Sequence, residues 1–68
     1  MTLQPHQQRV VDEKKELDAK LTKLSAFISS ENFYSTVDDA NERYNLHNQE
    51  RFMLGYSRVL GERIAAFK

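Results

Sequence analysis

A chain of 68 residues makes one domain at most, and a compact domain of this size buries only ~60% of the surface its unfolded chain exposes, so partners are the expected source of extra stability. Ten basic residues balance ten acidic ones, which removes the net positive field that phosphate-backbone binding needs and excludes a DNA or RNA polymer as an expected partner. Cysteine is absent, which excludes a disulfide framework and thiolate metal sites and makes an intracellular home the expectation.

The opening Met-Thr-Leu-Gln-Pro-His has no charged segment followed by an apolar stretch, so no secretory signal is expected. Apolar runs such as Ala26 to Ile28 and Phe52 to Leu54 fall far short of the ~20 residues that span a bilayer, and the chain reads as soluble, with no membrane partner. Pro5 sits where proline is favoured, in the first turn of a helix predicted over about 5–28. Its apolar residues form two heptad rows, Val10-Leu17-Leu24 and Leu21-Ile28, flanked by Val11 and Phe27. Asp12, Glu13, Lys15, Glu16, Asp18 and Lys20 cover the other faces, with Glu16 and Lys20 spaced for an ion pair.

From Ser29 the period is lost, and residues 29–37 read as a connector rich in side chains that compete with helix for backbone hydrogen bonds. Phe33, Tyr34 and Val37 are too apolar for a free loop and are expected to fold over the end of the hairpin. Ser35 or Thr36 is the expected cap of a second helix over about 38–67, with Asp38 or Asp39 placed favourably in its first turn. In that helix Leu46, Met53, Leu60 and Phe67 recur every seven residues, with Tyr56 and Ile64 beside them. The fold class is all-α: a single helical-hairpin domain over 1–68, with Leu46 expected near Ile28, Met53 near Leu21 and Phe67 near Gln7. A second apolar row on the same helix, Phe52, Val59 and Ala66, lies about 100° round the axis, too far for one partner helix to cover. Gly55 and Gly61 interrupt the helix interior, and either another backbone approaches them or they are tolerated in an exposed turn. The uncovered row and the glycines favour self-association in a closed homo-oligomer.

No nucleophile-and-base set, phosphate loop or metal-spaced ligand cluster is present, and His6 and His47 lie far apart in the hairpin, so neither enzymatic activity, nor a cofactor, nor a metal is expected. Carboxylates read as solvated helix faces. At the open end, antiparallel packing gathers His6, Gln8 and Arg9 near Arg63 and Lys68, with Glu62 as the only acid nearby. That end is locally basic, and arginine holds a phosphate through two hydrogen bonds. Arg9 and Arg63 as surface ion pairs with Glu13 and Glu62, and His6 as an ordinary helix-start residue, are the alternatives. At the connector end, Lys20 and Lys23 stand near Phe33 and Tyr34 in an acidic neighbourhood of Glu31, Asp38, Asp39 and Glu42. Lysine beside aromatics suits a phosphate and a stacked base, or else simple packing at a helix C-terminus. Tyr44 and Tyr56 read as core or interface residues with hydroxyls at a polar rim.

The motifs His6-Gln-Gln-Arg9-Val10, Glu13-Lys14, Glu16-Leu17, Lys20, Lys23-Leu24 and Phe27-Ile28, followed by Gln49, Met53, Tyr56-Ser57, Val59-Leu60, Arg63-Ile64 and Phe67, resemble small phage proteins. These carry the helical-hairpin domain shared by anti-CBASS cyclic-oligonucleotide sponges and some Thoeris anti-defence sponges. The resemblance implies a hexamer, a trimer of dimers, that sequesters cyclic dinucleotides, and in some members cyclic trinucleotides, without cleaving them in the host cytoplasm. It further implies Lys23 as a phosphate lysine, Arg9 or Arg63 as an arginine on a three-fold axis, and a base-stacking residue near the start of the first helix. Where the family can present a tyrosine there, this sequence has His6, Gln7 and Gln8, which leaves His6 or Tyr34 for stacking. The rival reading is a helical-hairpin protein-interaction module with no nucleotide ligand, whose apolar rows dock on itself or on another protein.

Overall fold

The computed structural model describes residues 2–67, and Lys68, assigned to the basic end, lies outside them. Three helices follow one another: α1 over Pro5–Ile28, the single turn α2 over Phe33–Thr36, and α3 over Ala40–Ala65. Pro5 opens α1 as expected, and the Gln7 side chain reaches back to accept the Gln4 backbone N–H at 2.9 Å, so one orphan donor of the first turn is satisfied. At the other end Ser30 Oγ donates to the Phe27 carbonyl at 2.7 Å, which helps close the helix.

The start of α3 departs from the expectation. Neither Ser35 nor Thr36 caps it, because both are wound into α2, where the Ser35 hydroxyl donates to the Asn32 carbonyl at 3.0 Å. A cap needs an extended backbone outside the helix, and Asp39 has it, with φ −84° and ψ 120°, while its carboxylate accepts the Asn41 N–H at 3.0 Å. The second long helix therefore begins at Ala40 rather than 38, the connector runs to Asp39 and contains a helical turn, and the helix ends at Ala65 rather than 67.

Lys14 on α1 lies against Gly61 of α3, whereas Asp18, one turn further on, meets Ser57, one turn back, so α1 and α3 run antiparallel as a hairpin. This register sets Leu21 level with the turn of α3 that holds Met53, close to the expected pairing. The hairpin is a rod of 49 × 15 × 14 Å, and no helix among the described residues is long and apolar enough to cross a membrane. Among the described residues four apolar side chains are buried: Val10, Leu21, Phe33 and Leu60. Leu17, Leu24, Phe27, Ile28, Leu46, Met53, Ile64 and Phe67 are half-buried around them.

Phe33 folds over the hairpin end as expected, 1% exposed, with its ring edge-to-face against Phe27 at 5.4 Å and His47 at 5.7 Å. Tyr34 does not join it in the core and is 70% exposed. Tyr56, placed beside the core by its spacing, is also exposed, because its position on α3 turns toward the second apolar row. That row is uncovered: Phe52 is 71% and Val59 43% exposed. The two glycines part company, since a side-chain carbon at Gly61 would meet Lys14 Cε at 3.4 Å whereas Gly55 faces open space. What approaches Gly61 is thus a lysine side chain, not another backbone.

Candidate binding ends of the hairpin

The rod separates the six binding residues expected from the sequence into two groups. His6, Gln8 and Arg9 occupy the first turns of α1, and Arg63 the last turn of α3, so the antiparallel register collects these four at the open end, all exposed. Lys23 near the end of α1 and Tyr34 in α2 stand at the connector end, also exposed. Arg9 and Lys23 are fourteen positions apart on one helix, about 21 Å at 1.5 Å per residue, too far for one small ligand to touch both within a single chain.

At the open end, Gln8 Nε2 donates to Asp12 Oδ1 at 3.0 Å, an exposed bond that a competing acceptor could replace. Arg58 pairs with Glu62 at 2.9 Å, so the only acid expected there is turned to Arg58 rather than Arg63. Among the described residues the ion pairs are this one and Lys14–Asp18; Glu16 and Lys20 do not close theirs, and neither Arg9 nor Arg63 is matched to a carboxylate. Both guanidiniums are therefore available to an anion, although the exposed position keeps each such contact modest unless several copies converge.

The connector end holds a feature the sequence did not single out. The Arg43 guanidinium lies 4.7 Å from the centre of the Tyr34 ring and donates to the Val37 carbonyl at 2.8 Å. The arginine is thereby held over one face of the ring, while most of the Tyr34 surface stays in solvent. A planar group could stack on a tyrosine held in this way. Spacing gave no signal for it, because Arg43 lies nine positions after Tyr34, across the extended residues between α2 and α3.

Midway along the rod, Lys14 Nζ donates to Asp18 Oδ2 at 2.7 Å and to Ser57 Oγ at 2.9 Å, and the Ser57 hydroxyl donates to Asp18 Oδ1. Asp18 is half-buried and faces α3 rather than solvent, contrary to the expectation that the carboxylates cover outer faces. Its pKa lies below the ordinary 3.8, first because Lys14 hydrogen-bonds the carboxylate and second because Ser57 does, against a smaller opposing effect of desolvation. Three hydrogen bonds join this trio, two of them crossing between α1 and α3, so it pins the two helices together.

Along the outer side of α3, Asn45, Asn48, Gln49, Phe52, Met53 and Tyr56 line a shallow groove of about 410 Å³. Their spacing of three and four was legible as one helical face; the carboxamides hid it from a search for apolar rows.

Residues 4–66 match the model of a protein family described as Sequestin, nearly the whole span that carried the resemblance in sequence. No curated protein and no solved structure matches the chain.

Proposed function

The chain belongs to the Sequestin family, and on that premise we propose that it is a phage anti-defence sponge that binds cyclic di- and trinucleotide immune signals and holds them without cleavage. The observation that carries this reading is the family match across residues 4–66 of a chain whose open-end arginines are unpaired among the described residues. Arg9, Arg63 and Lys23 hold phosphates, Tyr34 or His6 stacks a base, and Gln8 offers a carboxamide to a base edge or sugar hydroxyl. Each end of the rod holds only part of this set, so a pocket that uses all of it needs more than one copy. A homo-oligomer, a hexamer built as a trimer of dimers, supplies them. Capture lowers the free signal by mass action, needs no cofactor or metal, and acts in the cytoplasm of the bacterial host.

Light scattering after size exclusion, without ligand and then with a panel of cyclic di- and trinucleotides, tests this directly. The expected result is an oligomer that retains one or more of them and releases it chemically intact on heating. Arg9→Ala or Arg63→Ala should weaken retention about 10- to 100-fold, the worth of one charged hydrogen-bonding group at about 1.5–3 kcal/mol, with the assembly unchanged. A folded oligomer that retains none of the panel would overturn the sponge reading.

The exposed Phe52 and Val59 favour a second reading, a hairpin that docks on protein alone. Under it the arginine variants are silent toward every partner, and Phe52→Asp or Val59→Asp does the damage.

A further inference from the structure

We propose that two copies of this chain pair through the outer face of α3, antiparallel about a two-fold axis beside Gly55 and Tyr56, so that Phe52 of each copy packs on Val59 of the other. The proposal rests on the self-associating reading above and locates its contact.

Surface area is the first support. A compact monomer of this mass exposes about 4,450 Å². The hairpin exposes 5391 Å². The excess, roughly 900 Å², is close to the ~800 Å² that each partner contributes to a standard stable interface. The apolar part of that excess is concentrated on α3, where Phe52, Tyr56 and Val59 lie on one side of the helix and are exposed.

Gly55 supplies the second. It stands in the interior of α3, where glycine weakens a helix, and beyond the adjoining backbone of α3 nothing in its own chain lies within 4 Å of where a side chain would begin. Within one copy its lack of a side chain has no steric reason. Beside Phe52 and Val59 it leaves a notch in the apolar face through which a second helix can come close.

Charge selects both the partner and its direction. From Asn45 to Val59 the face comprises Asn45, Asn48, Phe52, Gly55, Tyr56 and Val59, with no charged residue, so a strongly charged partner finds nothing to pair with while an identical neutral face matches it. In a parallel pairing Glu62 would face Glu62 and Arg63 would face Arg63 of the second copy. In the antiparallel pairing Arg63 falls opposite the neutral Asn48 and Asn45 opposite Ala66, so no like charges meet. The same geometry carries the basic end of one copy alongside Tyr44 and toward the connector end of the other. The open-end group His6, Arg9 and Arg63 and the connector-end pair Lys23 and Tyr34, which the rod keeps apart, are thereby brought into one neighbourhood.

The chain has no cysteine, so single cysteines report proximity cleanly. Gly55→Cys, near the axis, should convert most of the protein to a covalent dimer under mild oxidation, whereas Ala19→Cys, exposed on α1, should not. Phe52→Asp should reduce the mass measured by light scattering, with the helical circular-dichroism signal showing whether the hairpin persists. An oligomer in which Gly55→Cys cross-links no faster than Ala19→Cys, or whose mass is unchanged by Phe52→Asp, overturns the α3 pairing. Cross-linking at Gly55 in a protein that retains no cyclic nucleotide supports the pairing and counts against the sponge reading alone.

Discussion

Replacing Phe33 by alanine removes the side chain that joins the connector to both long helices. Its ring is 1% exposed and packs edge-to-face on Phe27, Tyr34 and His47. A buried phenylalanine removes about 150–250 Å² from water, and at ~25 cal/mol per Å² its truncation to alanine costs about 3–5 kcal/mol. A chain of this length has roughly 3–10 kcal/mol of total stability to lose, so Phe33→Ala should leave little or none. Urea denaturation followed by circular dichroism at 222 nm measures the difference, at one fixed protein concentration because any association raises apparent stability. Tyr34→Ala is the internal comparison. Tyr34 is the neighbouring residue, equally aromatic but 70% exposed, and its loss removes a cation–π contact worth about 0.5–1 kcal/mol. If the two variants unfold at the same midpoint, Phe33 is not the anchor its burial indicates.

Acidification should weaken the hairpin through Asp18. Its pKa is lowered on folding, so the linked stability is complete above the ordinary 3.8 and is lost as the pH falls through the lower folded value; Asp18→Asn should flatten the stability profile in that range, and an unchanged profile would sink the assignment. Arg43→Ala removes the bond to the Val37 carbonyl and the cover on Tyr34, and should cost about 0.5–1.5 kcal/mol in thermal unfolding while raising the amplitude of Tyr34 motion seen by NMR relaxation. Gly55→Ala should stabilise the separate hairpin by about 1 kcal/mol through helix propensity yet loosen the assembly, so that light scattering and denaturation move in opposite directions.

The long helices were legible because their signals are redundant. Pro5 marks a start, heptad rows mark the buried faces, and the loss of period after Ile28 marks an end, so the extent of α1 agrees with its expected bounds. Ser35 and Thr36 misled for a local reason: hydroxyl residues serve equally well inside a one-turn helix and at a cap, and only the backbone conformation distinguishes the two uses. The Lys14–Asp18–Ser57 trio was hidden because each member is an ordinary surface residue by type, and their meeting depends on the register between two helices. Tyr34 was singled out for stacking without its partner Arg43, since contact between them follows from how the chain reverses after α2.

Four buried side chains make a small core for a rod 49 Å long. In the proposed homo-oligomer a hairpin so thinly filled draws part of its folding free energy from its neighbours, and folding and association then become one equilibrium. The supply of competent protein follows a power of the total concentration rather than the concentration itself: scarce below a threshold, nearly complete above it. A sponge of the proposed kind, which has to outnumber its signal, then has little effect at trace levels and acts sharply once synthesis carries it past that point.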